Sequence, residues 1–268
     1  MATAPLPASL RLGVGRTAVI LLHGVGGGKE VWRDLLPVLA QSGFTAVAWD
    51  MPGYGASAPI EPTTTAGLAR ALECLIDDVG AHQNILLGHS MGGMVAQEAM
   101  ALFGHKVHGL VLFATSAAFG RPQGSWQHDF LQSRFAPLDA GAGMAALASR
   151  LVPAMMAPAA PALASQLAQD LMARVPEPSY RAALAAIVSF NRLAELANIR
   201  VPTLCLSGEV DQTASPAVML KMSQKIPNAQ YQCLAGAGHL ANLERPKAFN
   251  DCVLEFLQQH FAPQRIPA

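Results

Sequence analysis

Short apolar runs alternate along this chain with longer stretches in which apolar residues recur every three or four positions. Thr17–Leu22 (T-A-V-I-L-L) stops abruptly at His23-Gly24 and predicts a fully buried strand. The residues before it leave room for one short strand, at 10–14, and little room for two. Residues 30–41 place Val31, Leu35, Leu36 and Leu39 at helical spacing, and 44–49 read as the next strand. Residues 63–79 predict a helix capped by Thr64 or Thr65. The apolar run 85–87 is a strand that breaks into Gly-His-Ser-Met-Gly, followed by helical spacing from Met91 to about Phe103; 107–113 is a further strand. Strand–helix alternation of this kind implies an α/β fold, a mostly parallel central sheet with helices on both faces. The alternation pauses between 120 and about 193, where Ala, Leu, Met and Pro dominate and 144–151, 162–175 and 180–196 have helical periodicity. Strand character returns at 203–207 and Gln230–Leu234, and a last helix is expected at 247–261. The pattern therefore predicts a core of residues 1–119 and 194–268 with a helical insertion at 120–193.

Composition narrows the class. The 268 residues are 51% hydrophobic and 13% charged with formal net charge zero, which suits a globular protein. Lys and Arg form no stripe, so neither nucleic acid nor an anionic membrane is an expected partner. The first residues lack the basic-then-apolar pattern of a secretory signal, and no apolar run reaches transmembrane length. Cys74, Cys205, Cys233 and Cys252 show no C-x-x-C spacing and each sits among apolar residues, which predicts buried free thiols in a reducing, cytoplasmic compartment.

Candidate chemistry collects at predicted strand ends, where open α/β sheets bind ligands. Gly88-His89-Ser90-Met91-Gly92 has the strand–turn–helix context of a nucleophile elbow, a turn so tight that side chains at Gly88 and Gly92 would strike neighbouring backbone. Asp211 follows the strand at 203–207, and His239 follows the last strand. Ser90, Asp211 and His239 thus arrive in nucleophile–acid–base order. A serine hydroxyl needs a base to take its proton, imidazole titrates near neutrality, and a carboxylate can hold the imidazole tautomer. Glu209 is the rival acid two residues earlier. The amides of Met91 and of Val25, in the Gly-rich loop after Thr17–Leu22, are candidates for an oxyanion hole.

Leu21-Leu22-His23-Gly24, Asp50-Met51-Pro52-Gly53-Tyr54-Gly55-Ala56-Ser57, Gly88-His89-Ser90-Met91-Gly92-Gly93, Gly208-Glu209-Val210-Asp211 and Gly236-Ala237-Gly238-His239 together resemble the α/β-hydrolase superfamily. The stretch from His239 to Pro246 is similar to the 3-oxoadipate enol-lactonase and carboxylesterase branch. The resemblance implies a cap over the catalytic serine at the insertion and a cofactor-free serine hydrolase of esters or lactones acting through an acyl-enzyme. It leaves two alternatives. Carbon–carbon bond hydrolases share the fold, but those most similar to this chain carry Trp after the catalytic histidine, where Leu240 stands here. Non-catalytic ligand-binding members lose a triad residue. The implied substrate is a small molecule with an apolar part, and the implied assembly a monomer or small homo-oligomer. An acidic substrate would need a cation in the cap; Arg134 is the first candidate, with Arg181 and Arg192 behind it. Met144, Met155, Met156 and Met172 fill gaps or line an apolar pocket. Gly28-Lys29 lacks the first Gly and the Ser/Thr of a P-loop, Pro59 and Pro62 break a dinucleotide-binding pattern at 53–58, and no His/Cys/Asp/Glu spacing predicts a metal site.

Overall fold

The computed structural model describes residues 5–119 and 125–261. Seven strands form one sheet: β1 (Ser9–Leu12), β2 (Thr17–Leu22), β3 (Thr45–Trp49), β4 (Gln83–His89), β5 (Gly109–Phe113), β6 (Thr203–Gly208) and β7 (Gln230–Leu234), in the order β1-β3-β2-β4-β5-β6-β7. Only β1 is antiparallel, pairing Ser9 with Trp49 at the sheet edge. The chain passes from β2 outward to β3 and then returns to the other side of β2 to form β4, with Leu22 opposite Gly88. Connections therefore leave β2 and β4 in opposite directions and open a crevice at their carboxyl ends.

Alternate residues of each strand feed two cores. Ile20, Leu22, Trp49, Leu86 and Leu112 pack with Leu68, Leu72 and Leu75 of α2 (Thr65–Val79) and Val95, Ala99 and Phe103 of α3 (Met91–Phe103). Val19, Leu21, Ala48, Leu87 and Phe113 pack with Leu36 and Leu39 of α1 (Leu36–Gln41) and Phe249, Val253 and Phe256 of α10 (Pro246–His260). Both faces are covered, so the inner strands are continuous apolar runs. Thr64 caps α2, its side chain accepting from the Gly67 amide at 3.0 Å.

Between β5 and β6 lie α4 (Trp126–Asp139), α5 (Gly143–Met155), α6 (Ala162–Ala173) and α7 (Glu177–Val188). The ends of this segment meet: the Phe119 amide donates to Phe190 O at 2.9 Å and the Arg192 amide to Ala117 O at 2.7 Å. The expected start of the insertion, at 120–121, lies outside the described residues. After β6 come α8 (Pro216–Ser223), β7 and α9 (Ala241–Glu244).

Several expectations need correction. Residues 30–41 are not one helix: a 3₁₀ turn at Lys29–Trp32 precedes α1, which starts anew with Pro37 in its first turn. Proline lacks the N–H and crowds the preceding turn, so it opens a helix better than it continues one. The spacing at 180–196 overshoots, because the chain leaves α7 after Val188 to pair Asn191 with Ala118. Helix α4 has no apolar periodicity, contains Pro137 and buries only Leu138 fully, so it left no pattern to read. Cys233 is exposed because β7 is an edge strand, whereas Cys205 on β6 is buried and Cys74 and Cys252 are half-buried. Among the described residues no helix is long and apolar enough to cross a membrane.

Candidate active site

Strand β4 ends at His89, and Ser90 turns the chain into α3 with φ 52° and ψ −116°. A positive φ is strained for any residue but Gly, and such strain persists only where its surroundings enforce it. Here they do. A Cβ on Gly88 would lie 2.5 Å from the Gly92 carbonyl carbon, and one on Gly92 would lie 2.6 Å from that of Leu22. Both contacts are with backbone, which cannot move aside. Gly92→Ala is therefore expected to cost about 3 kcal/mol, the upper end of the range for overpacking; the midpoint of urea unfolding measures this, and an unchanged midpoint would show that the turn can relax.

The loop after β2 runs against this turn. A Cβ on Gly24 would lie 3.2 Å from the Ser90 Cβ. His23 fixes the loop from within the core: its Nδ1 donates to the Gly24 carbonyl at 2.8 Å, and its Nε2 accepts the Met51 amide at 3.0 Å. Burial lowers its pKa, which keeps the ring neutral in this tautomer. Asp50, at the end of β3, ties two loops together: it accepts from Lys29 Nζ at 2.5 Å and from the Lys29 amide, in the loop after β2, and from the Ala56 amide in its own loop.

The acid and the imidazole come from the other half of the sheet. Asp211 Oδ2 accepts from His239 Nδ1 at 2.8 Å, and Asp211 Oδ1 accepts the Thr213 and Ala214 amides at 2.7 and 3.0 Å. Burial by itself would raise this carboxyl. The His239 hydrogen bond and the two amides outweigh it and hold the pKa below the usual carboxylate range. Glu209 instead reaches the Gly236 amide at 2.8 Å, away from the imidazole. The short Gly208 lets these loops meet, since a Cβ there would lie 2.8 Å from the Ala237 carbonyl carbon.

Ser90 and His239 open onto one cavity of about 250 Å³, bounded by Val25 and its glycines on one side and by α4–α7 on the other. Leu151, Val152, Met172, Leu184 and Ile187 make its wall mainly apolar. Met155 and Met172 line it, whereas Met144 and Met156 belong to the packed core. Val25 stands at the cavity, and Met91 opens α3, where the first amides have no carbonyl partner within the helix.

Arg134 also lines the cavity. Its guanidinium carbon lies 3.6 Å from the centroid of the Phe130 ring, and Nη1 donates to Ser133 Oγ and Phe130 O. It forms no ion pair among the described residues, and burial lowers its pKa. The other two arginines are engaged elsewhere. Arg181 is paired with Glu177 and Asp139, and Arg192 with Glu98 and Glu195; neither lines the cavity.

Three site residues carry no signal in the sequence pattern. His89 looks like the variable position of the elbow motif, yet its buried ring donates from Nε2 to the His239 carbonyl at 2.9 Å, and burial pushes its pKa down to about 3. Tyr180 has the spacing of a core residue but faces the cavity, its hydroxyl pushed up to about 12 by burial. Glu244, in α9, grips backbone amides around His239.

The sequence and the fold have known counterparts. The chain is 30% identical, over 90% of its length, to part of polyketide synthase ThaQ from Burkholderia thailandensis, of which it spans only 12%. It is also 30% identical to the pimeloyl-[acyl-carrier protein] methyl ester esterase of Photobacterium profundum, covering 90% of this chain and 94% of that one. The crystal structure of the enol-lactonase from Burkholderia xenovorans LB400 superposes with a TM-score of 0.83 at 25% identity, over 94% of this chain and 96% of that chain. The family model of the alpha/beta hydrolase fold matches residues 17–246, so the chain belongs to that family.

Proposed function

We propose that the chain hydrolyses a carboxylic ester or lactone by a Ser90–His239–Asp211 mechanism. The observation that carries this is a strained serine and an Asp-bound imidazole opening onto one apolar cavity. His239 Nδ1 donates to Asp211, which leaves Nε2 free to accept the Ser90 proton as Oγ attacks the carbonyl. The Asp211 carboxylate stabilises the imidazolium that forms. The amides of Val25 and Met91 receive the developing oxyanion. His239 then protonates the leaving alcohol or enol, and a water deprotonated by His239 releases the acid from the acyl-enzyme.

The helices α4–α7, residues 126–188, act as the cap that selects substrate. An apolar acyl or alcohol group fits the wall, and Arg134 with Tyr180 supplies a polar spot for an acidic substituent. The pimeloyl ester and enol-lactone named for the relatives are substrates of the kind this wall would accept. Turnover of short p-nitrophenyl esters, with labelling of Ser90 by a fluorophosphonate probe, tests the mechanism; a chain that neither turns over nor labels is a binding protein.

Arg134→Ala tests the substrate reading. On a carboxylate-bearing lactone it should lower kcat/KM by about 1–3 kcal/mol, the range for a hydrogen bond to a charged group, and leave a neutral ester nearly unaffected. Equal losses on both would remove Arg134 from recognition.

A further inference from the structure

The loop that carries His239 is held by a carboxylate with no part in the triad. Glu244 is 2% exposed. Its Oε2 accepts the Gly238 amide at 3.0 Å, and its Oε1 accepts the Leu240 amide at 3.1 Å, so the amides on both sides of His239 end on one side chain. The same Oε2 also accepts the Ala157 amide at 2.8 Å, just beyond the end of α5. The histidine's own main chain is fixed at both ends: its amide donates to Met155 O at 2.8 Å, and its carbonyl accepts from His89 Nε2 at 2.9 Å. The two segments touch without intervening side chains, for a Cβ on Gly238 would lie 2.7 Å from both Ala157 N and Met155 O. Among the described residues no cation pairs with Glu244. Its buried carboxyl group is met by three main-chain amides, which makes their geometry demanding.

We propose that Glu244 is a positioning residue for the hydrolysis proposed above: it holds residues 238–240 so that the His239 imidazole faces Ser90, and it makes that posture depend on the seating of residues 155–157. The inference rests on the triad reading. Its physical basis is the shared Oε2. Leu151, Val152, Ala154 and Met155 line the cavity, so a substrate filling it bears on the strip of chain that Glu244 ties to the catalytic loop. Substrate fit and base alignment are thereby linked through one oxygen.

Glu244→Gln keeps the shape but replaces one acceptor with an NH₂ donor, so at least one of the three amides faces another N–H. On p-nitrophenyl butyrate we expect kcat to fall about thirtyfold with KM within about twofold, the size of one or two lost hydrogen bonds to a charged acceptor. Labelling of Ser90 by a fluorophosphonate should slow in parallel. Glu244→Asp keeps the charge but cannot span all three amides, and should restore part of kcat. Melting temperatures are measured for each variant, and kinetics are run well below them. A lower melting temperature with wild-type kcat shows a purely structural role and overturns the proposal, as does a raised KM with kcat intact. Should Glu244→Gln fail to fold, Glu244→Asp decides alone by the same split: lower kcat at unchanged KM supports the proposal, and wild-type kcat overturns it. If the wild-type chain itself neither turns over esters nor labels at Ser90, the triad reading fails first and this inference falls with it.

Discussion

Ser90→Ala should remove ester turnover by on the order of a million-fold while the fold survives, as loss of a triad nucleophile does elsewhere. The substitution deletes one oxygen and no packing group. The strained backbone at φ 52° is imposed by Gly88, Gly92 and the Leu22 carbonyl rather than by the serine side chain, so alanine inherits the same turn. The assay is kcat/KM on p-nitrophenyl esters with circular dichroism as the fold control. Turnover comparable to wild type would move the nucleophile away from Ser90.

The second large effect is expected at Asp211. Asp211→Asn should lower kcat about ten-thousandfold, because an amide facing Nδ1 favours the wrong imidazole tautomer and cannot stabilise the imidazolium. Glu209→Gln should stay within a few-fold of wild type, since Glu209 bonds the Gly236 amide and not the histidine. The reverse ranking would transfer the acid to Glu209. Asp211 also ties stability to pH. Its folded-state pKa lies below the unfolded value, about 3.9 for an aspartate. The stability it contributes is therefore fully present above that unfolded value and is lost as pH falls through the lower, folded one. Acid unfolding of Asp211→Asn should accordingly show a shallower loss of stability across that window than wild type, measured as urea midpoints against pH.

How far these features are legible in the chain depends on whether their cause is local. Inner strands of a two-sided parallel sheet are apolar throughout, so β2, β4, β5 and β6 announce themselves as short runs such as Thr17–Leu22. The glycines around Ser90 are a local demand of a tight turn, and they stand in the sequence as a motif. Strand ends carrying Ser90, Asp211 and His239 follow from the alternation, because a parallel sheet brings its carboxyl ends to one side. Elements with weak or mixed periodicity are different. Helix α4 covers its neighbours with scattered side chains and shows no stripe, and Pro37 divides what spacing alone joins into one helix. The exposure of Cys233 depends on which strand lies at the edge, a matter of sheet order that no local pattern encodes.

By itself, then, the sequence determines the α/β alternation and the elbow at Ser90, because each is set by neighbours within a few residues, and it shows a serine, a pair of acids and a histidine in turn just past strand ends. Only the tertiary structure decides that Asp211 and not Glu209 meets His239, that Arg134 rather than Arg181 or Arg192 borders the cavity, that His89 meets the His239 carbonyl and that Glu244 meets the Ala157 amide. Those contacts join groups up to 150 residues apart. Their partners are chosen by the packing of whole elements, and a hydrogen bond closed across that distance leaves no trace in the spacing of either end.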